Sequence, residues 1–185
     1  IAGANRADPS SMIAAIHQPQ YLPWLGYFKK IAQTDVFCYL DNVQYKKNEW
    51  QNRNRIKTAT GWQWLTVPVT YKFPQKINEV KINTNTRWQK KHYQALLTNY
   101  RKTPYFSDYV TFFEQTYAYE WEYIVDLNIC LTEELRRKMG IHRPVCRSSD
   151  LDLTTDDPTG RLIEICRALN ADPYLAGAGG CGYLD

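Results

Sequence analysis

The chain has 185 residues, of which 44% are hydrophobic, and a formal net charge of +4. Its length allows a buried core, its apolar content argues against a disordered chain, and its mild charge does not by itself indicate nucleic-acid binding. Five widely spaced cysteines without a CxxC pair favour reduced thiols in the cytoplasm over a disulfide framework, and no apolar run approaches the roughly 18 residues of a membrane span.

The start of the chain predicts a strand, a helix and a second strand. Residues 1–11 are interpreted as a remnant of an expression tag that precedes a native Met12. The segments 12–17 and 35–41 are typical of buried parallel strands, and apolar residues at helical spacing predict a helix over 22–33. This pattern predicts a right-handed βαβ unit with two adjacent parallel strands.

The rest of the chain adds helices and a last strand. Apolar residues at helical spacing predict a helical lobe over about 86–140, Pro158 opens a further helix, and 172–177 is the final strand. We therefore predict an α/β protein with a parallel, Rossmann-like sheet. It forms a single domain over 12–185 with the helical lobe as an insertion, and its carboxyl terminus is expected to be truncated or disordered beyond Asp185.

Polar residues follow the first two predicted strands directly. His17 and Gln18 end the first strand, and Asp41 ends the second. Ligands of open α/β sheets bind at the carboxyl ends of the strands, so we predict His17 and Asp41 as catalytic residues and Gln18 as a substrate-binding residue. Two structural interpretations stay open: a histidine that hydrogen-bonds the backbone of a tight turn, and an aspartate that caps a turn or a helix.

The segment 44–57 interleaves cations with aromatic and amide residues. Its five cations and two aromatic rings suit single-stranded nucleic acid, a nucleotide or a lipid-linked diphosphate, and a solvated basic face is the alternative. Further substrate-binding residues are predicted, and all but Trp24 and Lys47 are expected in one cleft with His17 and Asp41. These residues are Tyr21, Trp24, Gln44, Lys47, Trp50, Asn52, Arg53 and Asn54.

Four glycines, beginning with Gly177, lie at and after the end of the last predicted strand. Their stretch GAGGCG matches G-x-G-x-x-G, but no βαβ unit starts there, so we do not predict dinucleotide binding. A glycine-rich turn exposes backbone N–H groups that bind anions, and a flexible tail is the alternative. We assign the anion-binding loop to Gly177, Gly179, Gly180 and Tyr183. The three histidines lack metal-ligand spacing, so no metal is predicted, and the cofactor stays unknown.

Four segments resemble the WbqC-like family: IHQPQYLPWLGYFKKI (16–31), DVFCYLDNVQYKKNEWQNRNRI (35–56), WLTVPV (64–69) and the closing YLAG…GYLD. The resemblance covers nearly all of residues 12–185, and its first two motifs are long and specific. Members are bacterial, and many are encoded among genes for surface polysaccharides. The resemblance implies a transferase that modifies a sugar in O-antigen-type polysaccharide synthesis, with acyl or aminoacyl transfer to a sugar amine as the expected reaction.

Within this implied function, His17 is expected to be the general base and Asp41 to hold its tautomer. Backbone N–H groups of the glycine loop, or Arg53, would stabilise the oxyanion or the leaving phosphate. The expected partners are a nucleotide, a nucleotide-sugar or another phosphorylated substrate, with tRNA among the candidates. A non-catalytic module that binds a glycan, a nucleotide or RNA is the first alternative.

A more distant similarity provides the second alternative. His17-Gln18-Pro19-Gln20 lies where nucleotidyltransferases of the HUP type carry their H-x-G-H signature, and TDVFCYLD is similar to their second strand. The similarity implies a HUP-like parallel core and adenylyl transfer, with Gln20 in place of the second histidine.

Overall fold

The first two strands lie side by side in a parallel sheet. The computed structural model of the protein describes residues 12–177. β1 (Met12–His17) pairs in parallel with β2 (Val36–Tyr39), and the helix α1 (Leu25–Ala32) connects them. The predicted pairing of the first two strands is confirmed. α1 starts later than the predicted residue 22, since the backbone of its N-cap residue is extended.

Two antiparallel pairs follow in the chain. β3 (Arg53–Thr58) and β4 (Gly61–Thr66) form a hairpin, and β5 (Val69–Thr70) pairs with β6 (Lys81–Ile82). The hairpin turn ends at Gly61, whose φ of +139° is accessible to glycine and rare for residues with a side chain.

Three helices come next. α2 (Trp88–Tyr100), α3 (Ser107–Ala118) and α4 (Ile124–Lys138) occupy the predicted helical lobe, which is confirmed. The last turn of α4 carries three basic residues where the helix dipole favours cations, and Gly140, with a φ of +74°, follows the helix.

Two later strands complete a sheet of four parallel strands. β7 (Val145–Arg147) pairs with β2, and after the helix α5 (Pro158–Ala168) the strand β8 (Ala171–Tyr174) pairs with β1. The strand order is β7-β2-β1-β8, so the order reverses between β1 and β8. The α/β fold class with a parallel, Rossmann-like core is confirmed.

The chain divides into two compact units. Among the described residues, the first unit comprises 12–18, 24–42 and 136–177, and the second comprises 19–23 and 43–135. The parallel sheet belongs to the first unit, and both antiparallel pairs belong to the second. The assignment of residues 12–185 to a single domain stays a prediction.

The core of the first unit consists of aliphatic side chains and a thiol that pack around the parallel sheet. Ile16 of β1 and Cys38 of β2 pack against Ile165 of α5, and Ala14 packs against Val36. Burial of adjacent parallel strands explains why β1 and β2 are nearly continuous apolar runs in the sequence.

A hydrogen-bonded chain of three rings crosses the aromatic core of the second unit. The hydroxyl oxygen of Tyr21 lies 2.7 Å from Nδ1 of His92 and 2.5 Å from the hydroxyl oxygen of Tyr117. The His92 ring also hydrogen-bonds the backbone of Thr66, which leaves Nδ1 as the acceptor for the Tyr21 hydroxyl. Tyr117 then donates to Tyr21. Burial lowers the pKa of His92 to about 4 and raises the pKa of both tyrosines, so all three rings are neutral at pH 7.

We expect Tyr21→Phe to lower the free energy of unfolding by about 1–3 kcal/mol, because it leaves two buried polar groups of His92 and Tyr117 without their partner. Tyr117→Phe removes only the terminal donor and should cost less. Urea denaturation measures both, with Tyr105→Phe on the exposed surface as the control. Equal stability of Tyr21→Phe and the wild type would contradict a stabilising network.

Candidate functional site

The carboxyl ends of β1 and β8 form the edge of the first unit at which a ligand-binding site is expected. In open α/β sheets, ligands bind at the carboxyl ends of the strands where the strand order reverses. In this sheet that point lies between β1, which ends at His17, and β8, which leads into Gly177. The predicted histidine therefore ends the strand beside the reversal point.

Two side chains of α1 hold the end of β1. Tyr27 and Lys30 lie three residues apart and so share one face of the helix. The Tyr27 hydroxyl donates to the carbonyl of Gln18 at 3.0 Å, and Nζ of Lys30 donates to the carbonyl of Ile16 at 3.0 Å. The carbonyls on both sides of His17 are thus tied to α1, which fixes where the strand ends and how the histidine leaves it.

The His17 ring has a defined tautomer. Its Nδ1 lies 3.1 Å from the carbonyl oxygen of Gln18, and because a carbonyl can only accept, Nδ1 carries the proton and Nε2 carries the lone pair. The ring packs edge-on against Tyr27 with 4.8 Å between ring centroids. Burial and then the charge of Lys30 lower the His17 pKa to about 4, against the opposing effect of the Gln18 hydrogen bond. At pH 7 the imidazole is neutral and Nε2 can accept a proton or a hydrogen bond.

Lys30 places a cation beside this histidine. Its Nζ lies 5.7 Å from the centroid of the Tyr174 ring on β8, and a methyl group added at Gly177 would lie 3.9 Å from the same nitrogen. Burial lowers the Lys30 pKa to about 8, so the ammonium group remains charged at pH 7. An ammonium group has three donors, and Ile16 takes one of them. Lys30 can therefore bind an anion at this edge.

Lys30 is not among the site residues predicted from the sequence. It lies inside the motif at 16–31, and its spacing of three residues from Tyr27 was the available signal. Its ammonium group donates to a backbone carbonyl. Every residue has such a carbonyl, so the sequence does not reveal this contact.

The carboxylate of Asp41 is buried and accepts hydrogen bonds from the segment that follows β7. Ser148 Oγ donates to Asp41 Oδ1 at 3.1 Å, and Ser149 donates to the carboxylate through its backbone N–H at 2.9 Å and its hydroxyl at 2.7 Å. Asp41 is fully buried, and such a charge requires hydrogen bonds of this kind. Asp41 lies two residues beyond Tyr39, where β2 ends, and not at the end of the strand as predicted. The Gln18 carbonyl is the group that sets the tautomer of His17, and a catalytic role of Asp41 stays a prediction.

Three other predicted substrate-binding residues take part in the packing of the second unit. Tyr21 is fully buried in the chain of rings. Nδ2 of Asn52 donates to the carbonyl of Val67 at 2.9 Å, and Nδ2 of Asn54 donates to the carbonyls of Tyr21 and Leu22 at 3.2 and 2.7 Å. These contacts stabilise the fold, a role that sequence analysis did not predict for the three side chains.

The remaining predicted residues are more accessible. Trp24 is exposed in the first unit, and Lys47 and Trp50 are exposed in the second, where Gln44 and Arg53 are partly buried. The Trp24 ring lies against Gly26, where any side chain would collide with it. A single cleft that joins these residues to His17 stays a prediction.

Only one member of the predicted anion-binding loop, Gly177, lies within the described residues. Gly179, Gly180 and Tyr183 lie outside them. Within residues 12–177, no three His, Cys, Asp or Glu side chains are grouped as ligands for a metal ion. Over the same range, no helix is both long enough and apolar enough to cross a membrane.

The WbqC-like protein family matches residues 18–185 of the chain. The chain belongs to this family. Uncharacterized protein Rv1507c of Mycobacterium tuberculosis is 39% identical to this WbqC-like protein over 174 residues, which cover 92% of this chain and 74% of the relative. No solved structure matches the chain. The resemblance of the strand–helix motif and the basic segment to this family is thereby confirmed.

We expect Asp41→Asn to lower the free energy of unfolding by about 2 kcal/mol, because Ser149 donates its N–H to Oδ1 and its hydroxyl to Oδ2, so an amide nitrogen at either position would face a donor. Thermal denaturation should show a melting temperature several degrees lower.

His17→Ala is the matched comparison. The His17 ring makes one hydrogen bond, to the Gln18 carbonyl, and this carbonyl also accepts from the Tyr27 hydroxyl. Its melting temperature should stay within a few degrees of the wild type. A variant Asp41→Asn as stable as the wild type would show that the bonds to Ser148 and Ser149 contribute nothing.

Proposed function

We propose that this WbqC-like protein is a transferase that modifies a sugar in bacterial surface-polysaccharide synthesis, by acyl or aminoacyl transfer to a sugar amine. The observation that carries the proposal is the neutral His17 imidazole held beside the Lys30 ammonium group at the strand-order reversal. The family resemblance supports the pathway, and the two side chains support the chemistry.

The proposed step uses the lone pair of His17. The sugar amine attacks the acyl carbonyl carbon of an activated ester, the new C–N bond forms, and Nε2 of His17 accepts the amine proton. The C–O bond to the leaving group then breaks, and the imidazolium returns the proton to the departing oxygen. The Gln18 carbonyl keeps the ring in the tautomer that this step requires.

Lys30 has the complementary role of binding negative charge. A nucleotide-sugar or a nucleotide-linked donor carries phosphates, and an ammonium group held at a strand end is a point charge suited to them. The backbone of the glycine loop is proposed to add N–H donors, starting at Gly177 beside Lys30.

The direct test incubates the protein with nucleotide-amino-sugars, an activated acyl or aminoacyl ester and ATP, and follows product mass. We expect a mass gain in the wild type that His17→Ala abolishes and Lys30→Ala reduces strongly. Lys29→Ala, which removes an exposed cation from the neighbouring position of α1, should be unaffected. Release of pyrophosphate from ATP would favour nucleotidyl transfer, and tight binding without turnover would favour the non-catalytic module.

The pH profile of kcat/KM distinguishes the two roles. Lys30 is charged below a pKa of about 8 and His17 is neutral above a pKa of about 4, so activity should fall as the pH rises through about 8. Lys30→Arg should move this alkaline limb upward, because the guanidinium stays charged to a much higher pH. An alkaline limb that is identical in Lys30→Arg and the wild type would contradict the anion-binding role.

A further inference from the structure

One face of the β3–β4 hairpin displays cations and indoles together. Because side chains alternate between the two faces of a strand, Arg53, Arg55 and Lys57 share the face opposite to the buried Ile56. Arg55 is paired with Trp64 and Lys57 with Trp62 across the hairpin, so both indoles lie on the same face. We call this surface the Trp–Arg face, and it consists of Trp50, Arg53, Arg55, Lys57, Trp62 and Trp64.

The three indoles of the Trp–Arg face are accessible and close together. Trp50, Trp62 and Trp64 are 38%, 56% and 38% exposed. The ring centroids of Trp50 and Trp64 are 5.7 Å apart, and those of Trp62 and Trp64 are 5.9 Å apart. Three clustered indoles at the surface are unusual, and a cluster of this kind marks a contact surface.

The guanidinium groups are stacked on these indoles. The central carbon of the Arg53 guanidinium lies 4.5 Å from the Trp64 ring centroid, and that of Arg55 lies 5.0 Å from Trp62 and 5.5 Å from Trp64. Arg53 also donates to the carbonyl of Asn48. Stacked guanidinium groups are held in place while their edges keep N–H donors for an oxygen anion.

The positive charge of the Trp–Arg face has no counterpart within the hairpin. The sequence from Trp50 to Thr66 contains no aspartate or glutamate. Cations at alternate residues of β3 repeat every ~6.8 Å along the strand, a spacing comparable to that of successive phosphates in an extended polynucleotide. The face therefore offers regularly spaced positive charge beside flat rings.

We propose that the Trp–Arg face binds single-stranded nucleic acid. Bases would stack on the exposed indoles, and Arg53, Arg55 and Lys57 would contact successive phosphates. The inference is independent of the proposed transferase activity, since it uses only contacts within the hairpin and Trp50.

An anionic membrane surface is the main competing partner, and the face suits it less well. Membrane-surface elements combine cations with a separate, continuous apolar face. Here a row of cations on β3 lies beside two indoles on β4 on the same outward side, and the aliphatic residues Ile56 and Leu65 point to the buried side. Planar groups that alternate with phosphates complement this arrangement better than lipid headgroups do.

The test measures fluorescence anisotropy of short, labelled single-stranded RNA and DNA of mixed sequence with the purified protein at several salt concentrations. Binding should weaken with salt, with a slope of about −2 in log K against log salt for three phosphate contacts. Trp62→Ala and Arg55→Ala should each weaken binding about tenfold, and Arg55→Ala should also reduce the salt slope by about 0.7. Arg55→Lys keeps the charge and should retain the slope while losing affinity.

Lys91→Ala, which removes an exposed cation from α2 in the same unit, is the matched control and should bind like the wild type. Melting temperatures of all variants should match the wild type, so that lost binding is not lost folding. Absence of binding to both RNA and DNA, equal binding by the Trp62→Ala variant, or tighter binding to vesicles with anionic lipids than to either oligonucleotide would overturn the proposal.

Discussion

The end of β1 depends on two side chains of α1. A strand that ends inside a protein leaves carbonyl groups that must find donors, and here the Tyr27 hydroxyl and the Lys30 ammonium group supply them at Gln18 and Ile16. The same contacts fix the position of His17 and set a cation beside it. Removal of either side chain would take a donor away from one of these carbonyls and loosen the position of the histidine, so fold and chemistry share these contacts.

The electrostatics of His17 and Lys30 are coupled. Burial disfavours charge on both, and the ammonium charge further disfavours a second cation on the imidazole, so the pair carries one positive charge at pH 7. A histidine with a pKa of about 4 is a weak base. An anion bound at Lys30 would oppose the ammonium charge and raise the histidine pKa toward neutrality, so a phosphorylated substrate would itself strengthen the base that acts on it.

Sequence patterns predicted the strands and helices whose pattern lies within one short stretch of the chain. Apolar runs and helical spacing predicted the β1–α1–β2 unit and the helical lobe, because burial imposes those periods on neighbouring residues. They carry no information on where a side chain meets a distant partner. Asp41 bonds a serine 107 positions further along the chain, and no short motif records such a pairing. The sequence places Asp41 just after a strand but does not reveal the serine donors that its buried carboxylate meets.

The basic segment shows a second kind of ambiguity. Its mixture of amides and cations suggested ligand chemistry throughout, yet strand alternation separates the two sets of residues. Asn52 and Asn54 point inward and hold backbone carbonyls, while Arg53 and Arg55 point outward onto the indoles. The alternation of inward and outward side chains that is typical of a strand is therefore present here in the polar residues. A search for alternating apolar residues does not detect it. Because the inward amides bond backbone carbonyls of the second unit, a ligand would meet the outward cations and the indoles beside them and not these amides.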